Sequence, residues 1–187
     1  MADLTRRALA QALQELLEQK PLEKVTVKEL TEHCGLTRNT FYYHFHDILE
    51  LLDWIFTSEA ERLIKVYEGN QEWEDGFEEG LNFLYANKRM IDHVYKSINR
   101  ELLDSYLQEM VYRHALTVVK AESRKYEVSD EAVAVVADFY KNAIIGAVIS
   151  WIEQDMKEAP EELAKLYNSM FVGTIEAALK SAEKGLE

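Results

Sequence analysis

A chain of 187 residues with 48% apolar and 29% charged side chains has the balance of a folded globular protein, which excludes a disordered polyelectrolyte. Its single cysteine, Cys34, excludes an internal disulfide framework and suits a reducing compartment, so a cytoplasmic location is expected. The net charge of −13 argues against a phosphate-bearing partner, but it is unevenly spread: residues 1–50 carry a net −2 and the rest of the chain −11.

No run of about 18 uncharged apolar residues occurs. The first twenty residues lack the continuous apolar core of a signal peptide. No membrane association is therefore expected, and the N-terminus reads as part of the fold. Two prolines and seven glycines leave room for long helices with short connections.

Ala8, Leu9, Ala12, Leu13, Leu16 and Leu17 repeat with the period of an amphipathic helix. Asp3 or Thr5 is the expected cap and Pro21 the expected stop. A second helix starts at Thr26, where Thr26-Val27-Lys28-Glu29 has the form of a capping box. It ends at Gly35, the residue that best tolerates the left-handed conformation past a helix C-terminus. Thr37 then caps a third helix, Arg38 to about Phe45, so residues 26–45 read as a helix-turn-helix.

A longer connecting helix runs over residues 47–68 through Leu49, Leu52, Ile55, Phe56, Leu63, Ile64 and Tyr67, and Glu68–Gln71 marks a break. Further helices are expected near Trp73–Asn87, Lys88–Ile98, Asn99–Lys125, Ser129–Lys157 and Pro160–Lys184. Ser129 with Asp130 and Glu131, and Pro160 with Glu161 and Glu162, supply the N-terminal signals. The expected fold class is all-α, with about nine helices. A three-helix head, residues 1–48, precedes a larger helical body, residues 49–187.

The third helix carries the chemistry. Phe41 and Phe45, four apart, suit its packed side. Arg38 matches the O6 and N7 acceptors of guanine, and Asn39 a base edge or a phosphate. Thr40 and Tyr42 suit thymine methyls or backbone, and Tyr43 and His44 suit phosphates. Thr26 and Thr37 place hydroxyl and free amide groups at helix N-termini, where a phosphate oxygen is favoured. Lys28, His46 and either Arg6 or Arg7 are candidate flanking contacts.

Thr26-Val27-Lys28-Glu29-Leu30, then Gly35-Leu36-Thr37-Arg38-Asn39-Thr40-Phe41-Tyr42-Tyr43-His44-Phe45, resembles the DNA-binding head of tetracycline-repressor-type (TetR) regulators, over roughly residues 4–55. The resemblance implies an all-helical dimer that binds double-stranded operator DNA, with the candidates above at DNA-contacting positions. A lysine usually follows the Tyr-x-His-Phe stretch in that family. Here His46-Asp47-Ile48 stands instead, which puts one backbone contact in doubt and implies weaker or more pH-sensitive electrostatics. The aromatic run, with Leu52-Asp53-Trp54-Ile55-Phe56, is similar to regulators of dihydroxyacetone-kinase operons. Repression is the expected mode.

No glycine-rich phosphate loop, nucleophile elbow or His-Glu-x-x-His motif is present, so neither an enzyme nor a cofactor is expected. The histidines lack zinc-ligand spacing.

In the body, residues 132–151 are apolar around most of the helix, and a last apolar face follows. Val136, Phe139, Tyr140, Ala143, Ile144, Ala147 and Trp151, with Met170, Gly173, Thr174 and Ala177, are the expected homodimer interface, two helices from each subunit. An intramolecular core is the alternative. Trp73, Phe77, Tyr85, Tyr95, Tyr106 and Tyr112 are the candidate lining of a small-molecule effector pocket. A co-regulator protein, or no effector, are the alternatives. The rival to DNA binding is an acidic helical protein-interaction module with a degenerate head.

Overall fold

The computed structural model describes residues 2–67, 73–97 and 101–184. The Glu68–Gln71 break, residues 98–100 and the side chains of Ile64, Tyr67 and Trp73 lie outside the described residues. Among the described residues there are nine α-helices, one 3-10 turn (Leu22–Lys24) and no strand. The helices are α1 (Ala2–Leu17), α2 (Val27–His33), α3 (Arg38–His44), α4 (Ile48–Tyr67), α5 (Trp73–Ala86), α6 (Lys88–Tyr95), α7 (Glu101–Ser123), α8 (Asp130–Glu153) and α9 (Pro160–Lys184). They form two compact units. The first runs to Glu61 and includes Ala86–Tyr106, and the second comprises Arg62–Tyr85 and the chain from Leu107 onward.

In the first unit, α1 buries Leu9, Ala12, Leu13, Leu16 and Leu17, whereas Ala8 is exposed. Each fully buried leucine is worth about 1.5–3 kcal/mol of burial. The helix already begins at Ala2, so neither Asp3 nor Thr5 caps it: Asp3 pairs with Arg7 at 2.9 Å in the first turn. Pro21 does not end it either; the chain leaves the helix at Leu17 and turns before the proline. Thr26 caps α2 by accepting the Glu29 N–H at 3.3 Å. The Glu29 carboxylate accepts from Lys20 of the preceding turn.

Helix α2 closes in a Schellman arrangement. Leu36 N donates to the Thr31 carbonyl at 2.8 Å and Gly35 N to that of Glu32 at 3.4 Å, with Gly35 at φ +67°. Thr37 then caps α3, accepting the Thr40 N–H at 3.1 Å. Asp47 does the same for α4, accepting the Glu50 N–H at 2.9 Å.

Contacts group α6 with the helix-turn-helix, together with α4 as far as Glu61 and the start of α7, so part of the 49–187 segment assigned to the body belongs to the head's unit. Met90, Ile91 and Val94 are fully buried, and the polar groups of α6 reach the open C-terminal end of α1. His93 Nδ1 lies 2.6 Å from the Leu17 carbonyl, and Arg89 donates to that of Glu18 at 3.5 Å. The Leu17 carbonyl ends the last turn of α1 and that of Glu18 lies just beyond it, where backbone acceptors lack helical donors.

In the second unit, Leu107, Val111, Ala115 and Val119 form a buried row four residues apart along α7. Helix α8 is capped by Ser129, which accepts the Ala132 N–H at 3.1 Å. Among the described residues it is the one helix with the length and hydropathy of a membrane span. Nine of its side chains are nevertheless buried within the protomer, among them Val133, Ala137 and Val148. The turn into α9 is made by two consecutive non-glycine residues in the left-handed region, Asp155 (φ 62°) and Met156 (φ 43°). Met156 is buried, its N–H donates to the Trp151 carbonyl at 2.8 Å, and Trp151 Nε1 donates to the Glu158 carbonyl at 3.0 Å.

Candidate nucleic-acid interface

The sequence of α3 sorts its side chains by face. Phe41 and Phe45 are buried, packed 6.1 Å apart between ring centroids, and Phe45 meets Trp54 of α4 edge-on at 6.0 Å. These contacts fix the helix by its apolar side and leave the other side to solvent. Thr37, Arg38 and Asn39 are exposed there, with Tyr42 58% and Tyr43 82% exposed. Among the described residues Arg38 forms no ion pair. A free guanidinium, a free amide and two phenols thus line one short helix. Leaving two tyrosine rings in water forgoes apolar burial, so this composition is costly unless something covers it.

The remaining candidates are placed as follows. Thr40 and His44 are half-buried; the Thr40 hydroxyl bonds the Thr37 hydroxyl at 2.9 Å, and His44 sits edge-on to Tyr43. Thr26 is exposed at the N-terminus of α2, and Lys28 is exposed one turn in, 3.8 Å from Glu32. Of the flanking arginines, Arg6 lies over the Phe45 ring at 5.9 Å and Arg7 is held by Asp3. His46, beyond α3, is exposed beside Asp47. Cys34 packs half-buried in the turn, its thiol donating to the Leu30 carbonyl at 3.3 Å, and burial pushes its pKa up.

The candidate dimer residues divide. Val136, Tyr140, Ile144 and Trp151 are buried within the protomer, a correction to their assignment as interface. Tyr140 donates to the Thr174 hydroxyl at 2.9 Å and meets Phe171 edge-on, and Trp151 stacks on Tyr85. Ala147 is half-buried. Phe139 (65%), Met170 (56%), Ala143, Gly173, Thr174 and Ala177 are exposed. Val135 (69%) on α8 and Leu166 (57%) on α9 join them. Nothing lies within 4 Å of a Cβ built at Gly146 or Gly173, so these small residues serve no close approach inside the protomer.

The five described candidate effector residues do not gather at one described cavity. Tyr95 and Tyr106 belong to the first unit, where Tyr106 is buried against Phe56 at 5.0 Å. Phe77, Tyr85 and Tyr112 belong to the second, where Phe77 is core and Lys141 lies over the Tyr112 ring at 5.7 Å. The second unit holds a small apolar cavity of about 20 Å³, lined in part by His114, Val118, Tyr140 and Phe171 and by none of the five described candidates. That volume is the size of a single water site, too small for an organic effector.

A capped helix-turn-helix whose second helix presents Arg38, Asn39, Tyr42 and Tyr43 to solvent defines a DNA-binding regulator. Residues 9–54 match the family model described as bacterial regulatory proteins, tetR family, and residues 71–173 match one described as transcriptional regulator C-terminal region. The chain belongs to the TetR family of transcriptional regulators.

Relatives agree with that placement. The chain is 24% identical over 92 residues to the HTH-type dhaKLM operon transcriptional activator DhaS of Lactococcus lactis subsp. lactis (strain IL1403). That match spans 49% of this chain and about half, 49%, of the relative's length. A solved structure of the dihydroxyacetone kinase operon activator DhaS superposes with a TM-score of 0.76 at 21% identity, covering 96% of this chain and 98% of that one. NalD of Pseudomonas aeruginosa, the secondary repressor of the MexAB-OprM multidrug efflux pump, superposes with a TM-score of 0.64 at 15% identity, covering 91% and 97%.

Proposed function

We propose that this regulator binds a quasi-palindromic operator as a homodimer, placing the two α3 helices in successive major grooves. The carrying observation is the exposed face of α3, where Arg38, Asn39, Tyr42 and Tyr43 have no role in holding the head together. A two-fold dimer puts such helices about 34–36 Å apart, one turn of B-DNA. The exposed stripe of Val135, Phe139, Leu166 and Met170 supports the dimer, since apolar side chains on two adjacent helices are what an isologous contact buries.

Occupying two grooves at a promoter excludes polymerase without any further contact, so repression is the first reading. Activation is the second, favoured by the likeness to DhaS. A small-molecule effector or a co-regulator protein controls affinity by binding the second unit in one conformation better than in another. The regulator acts where the chromosome is, in the cytoplasm, and no enzymatic step belongs to this reading.

Selection of random duplex DNA on the purified protein tests it. The expected result is a palindromic consensus whose affinity falls steeply with salt. No enrichment at low salt would favour the acidic interaction module instead. Transcription of a promoter carrying the consensus, with and without protein, then separates repression from activation.

A further inference from the structure

We infer that Asn142 is a polar pin in the homodimer: it meets its own copy across the two-fold axis and so restricts this face to a second copy of the chain in one register. The inference rests on the homodimer of the proposed function.

The exposed faces of α8 and α9 carry the same spacing. Val135, Phe139, Asn142 and Gly146 are exposed at steps of four, three and four along α8, and Leu166, Met170, Gly173 and Ala177 at the same steps along α9. Alternating steps of three and four are the period of helices that pack side by side in a bundle. Tyr140, which bonds Thr174 and meets Phe171, holds the two helices together at this level. Every residue of both rows is apolar or glycine except Asn142.

The Asn142 amide is already oriented. Its Nδ2 donates to Asp138 Oδ2 at 3.1 Å, while Lys141 holds Oδ1 at 2.5 Å. A carboxylate only accepts, so the NH2 end of the amide must face Asp138. Lys141 is itself fixed, its ammonium over the Tyr112 ring and its side chain only 15% exposed. One N–H and the carbonyl oxygen of the amide are left without a partner among the described residues.

A group with one donor and one acceptor is complementary to its own copy. Two such amides exchange N–H···O=C bonds reciprocally, as an isologous contact allows. The α9 row has no polar side chain to offer instead. The Thr174 hydroxyl beside that row already accepts from Tyr140 and donates to the Met170 carbonyl. Drying the rows in a shifted register, or against a foreign apolar face, strands the N–H and the carbonyl; a second copy in register satisfies both. A lone asparagine in an apolar helix seam selects partner and register by this penalty. Gly146, with nothing within 4 Å of a built Cβ, leaves room for the approach.

The experiment puts a cysteine at the pin. Asn142→Cys in a Cys34→Ser background of the full chain, oxidised at micromolar concentration, should give a disulfide-linked dimer on a non-reducing gel. Only residues close to a two-fold axis meet themselves at bonding distance, so Val135→Cys in the same background should cross-link far less. Asn142→Asp, which sets carboxylates face to face, should raise the dimer dissociation constant at least roughly tenfold in sedimentation equilibrium. Circular dichroism of each variant checks folding. A wild-type dimer whose Asn142→Cys variant does not cross-link, or whose folded Asn142→Asp variant associates as wild type does, overturns the inference and leaves the dimer standing. Wild type that sediments as a monomer overturns both.

Discussion

His93 Nδ1 lies 2.6 Å from the carbonyl oxygen of Leu17, 76 residues earlier in the chain. A carbonyl only accepts, so Nδ1 carries the proton. The contact gives an acceptor of the last α1 turn a donor from α6. His93→Ala is expected to lower stability by roughly 1–3 kcal/mol, the cost of orphaning a part-buried acceptor. Urea unfolding of the variant measures this, and an unchanged midpoint would mean that water replaces the imidazole.

Gly35 sits at φ +67° with open space around its missing Cβ, so backbone strain alone decides a substitution there. Gly35→Ala should cost about 1–2 kcal/mol. Gly35→Asn should cost less, because a short polar side chain tolerates the left-handed region. Equal losses for both, read from thermal unfolding, would point to some other demand at this turn.

Arg38 is exposed and has no partner among the described residues. Arg38→Ala should leave unfolding unchanged and weaken binding to the selected operator by about 1–3 kcal/mol, with relaxed preference at one base pair. Unchanged operator affinity would remove Arg38 from the base-reading set.

Phe139 and Met170 are more than half exposed in the protomer. Phe139→Glu with Met170→Glu should therefore convert a dimer to a folded monomer, seen by sedimentation at micromolar concentration together with a native circular dichroism spectrum. Val136→Glu, which puts a charge into the protomer's own core, should instead unfold it. A double variant that remains dimeric would place the association elsewhere.

Stability should fall on the acid side. Hydrogen bonds from Gln11 and then His33 hold the Glu15 carboxyl below its ordinary 4.5, and Lys165 and Lys180 do the same for Glu161 and Glu176. A lowered folded pKa favours the ionised form, so this stabilisation is present above 4.5 and is lost as pH falls through the depressed values. Unfolding midpoints followed downward from neutral pH should show the decline beginning near that value. High salt should shrink it, because these pairs are exposed.

The head was legible because its signals are local. Thr26, Gly35 and Thr37 act on hydrogen bonds within five residues of themselves, and the Phe41–Phe45 spacing states its own packed side. What was not legible depends on partners distant in sequence. Met90, Ile91 and Val94 form an apolar face that any helix would accept, and nothing in residues 88–95 says that the acceptor is α1. On α8 nearly every face is apolar, so the pattern does not separate inward Val136 and Tyr140 from outward Val135 and Phe139. Two of the aromatics proposed as an effector lining, Phe77 and Tyr106, have the spacing of core residues, and core is where they lie.

The corner between α8 and α9 has a consequence for assembly. Asp155 and Met156 are locked in the left-handed region, with Met156 buried and the Trp151 indole tied to Glu158. The two exposed rows, Val135 with Phe139 and Leu166 with Met170, lie on two helices packed against each other and joined by this corner. In the proposed dimer such a face would surrender little conformational entropy on meeting its copy, so a larger share of its buried area would be available as affinity.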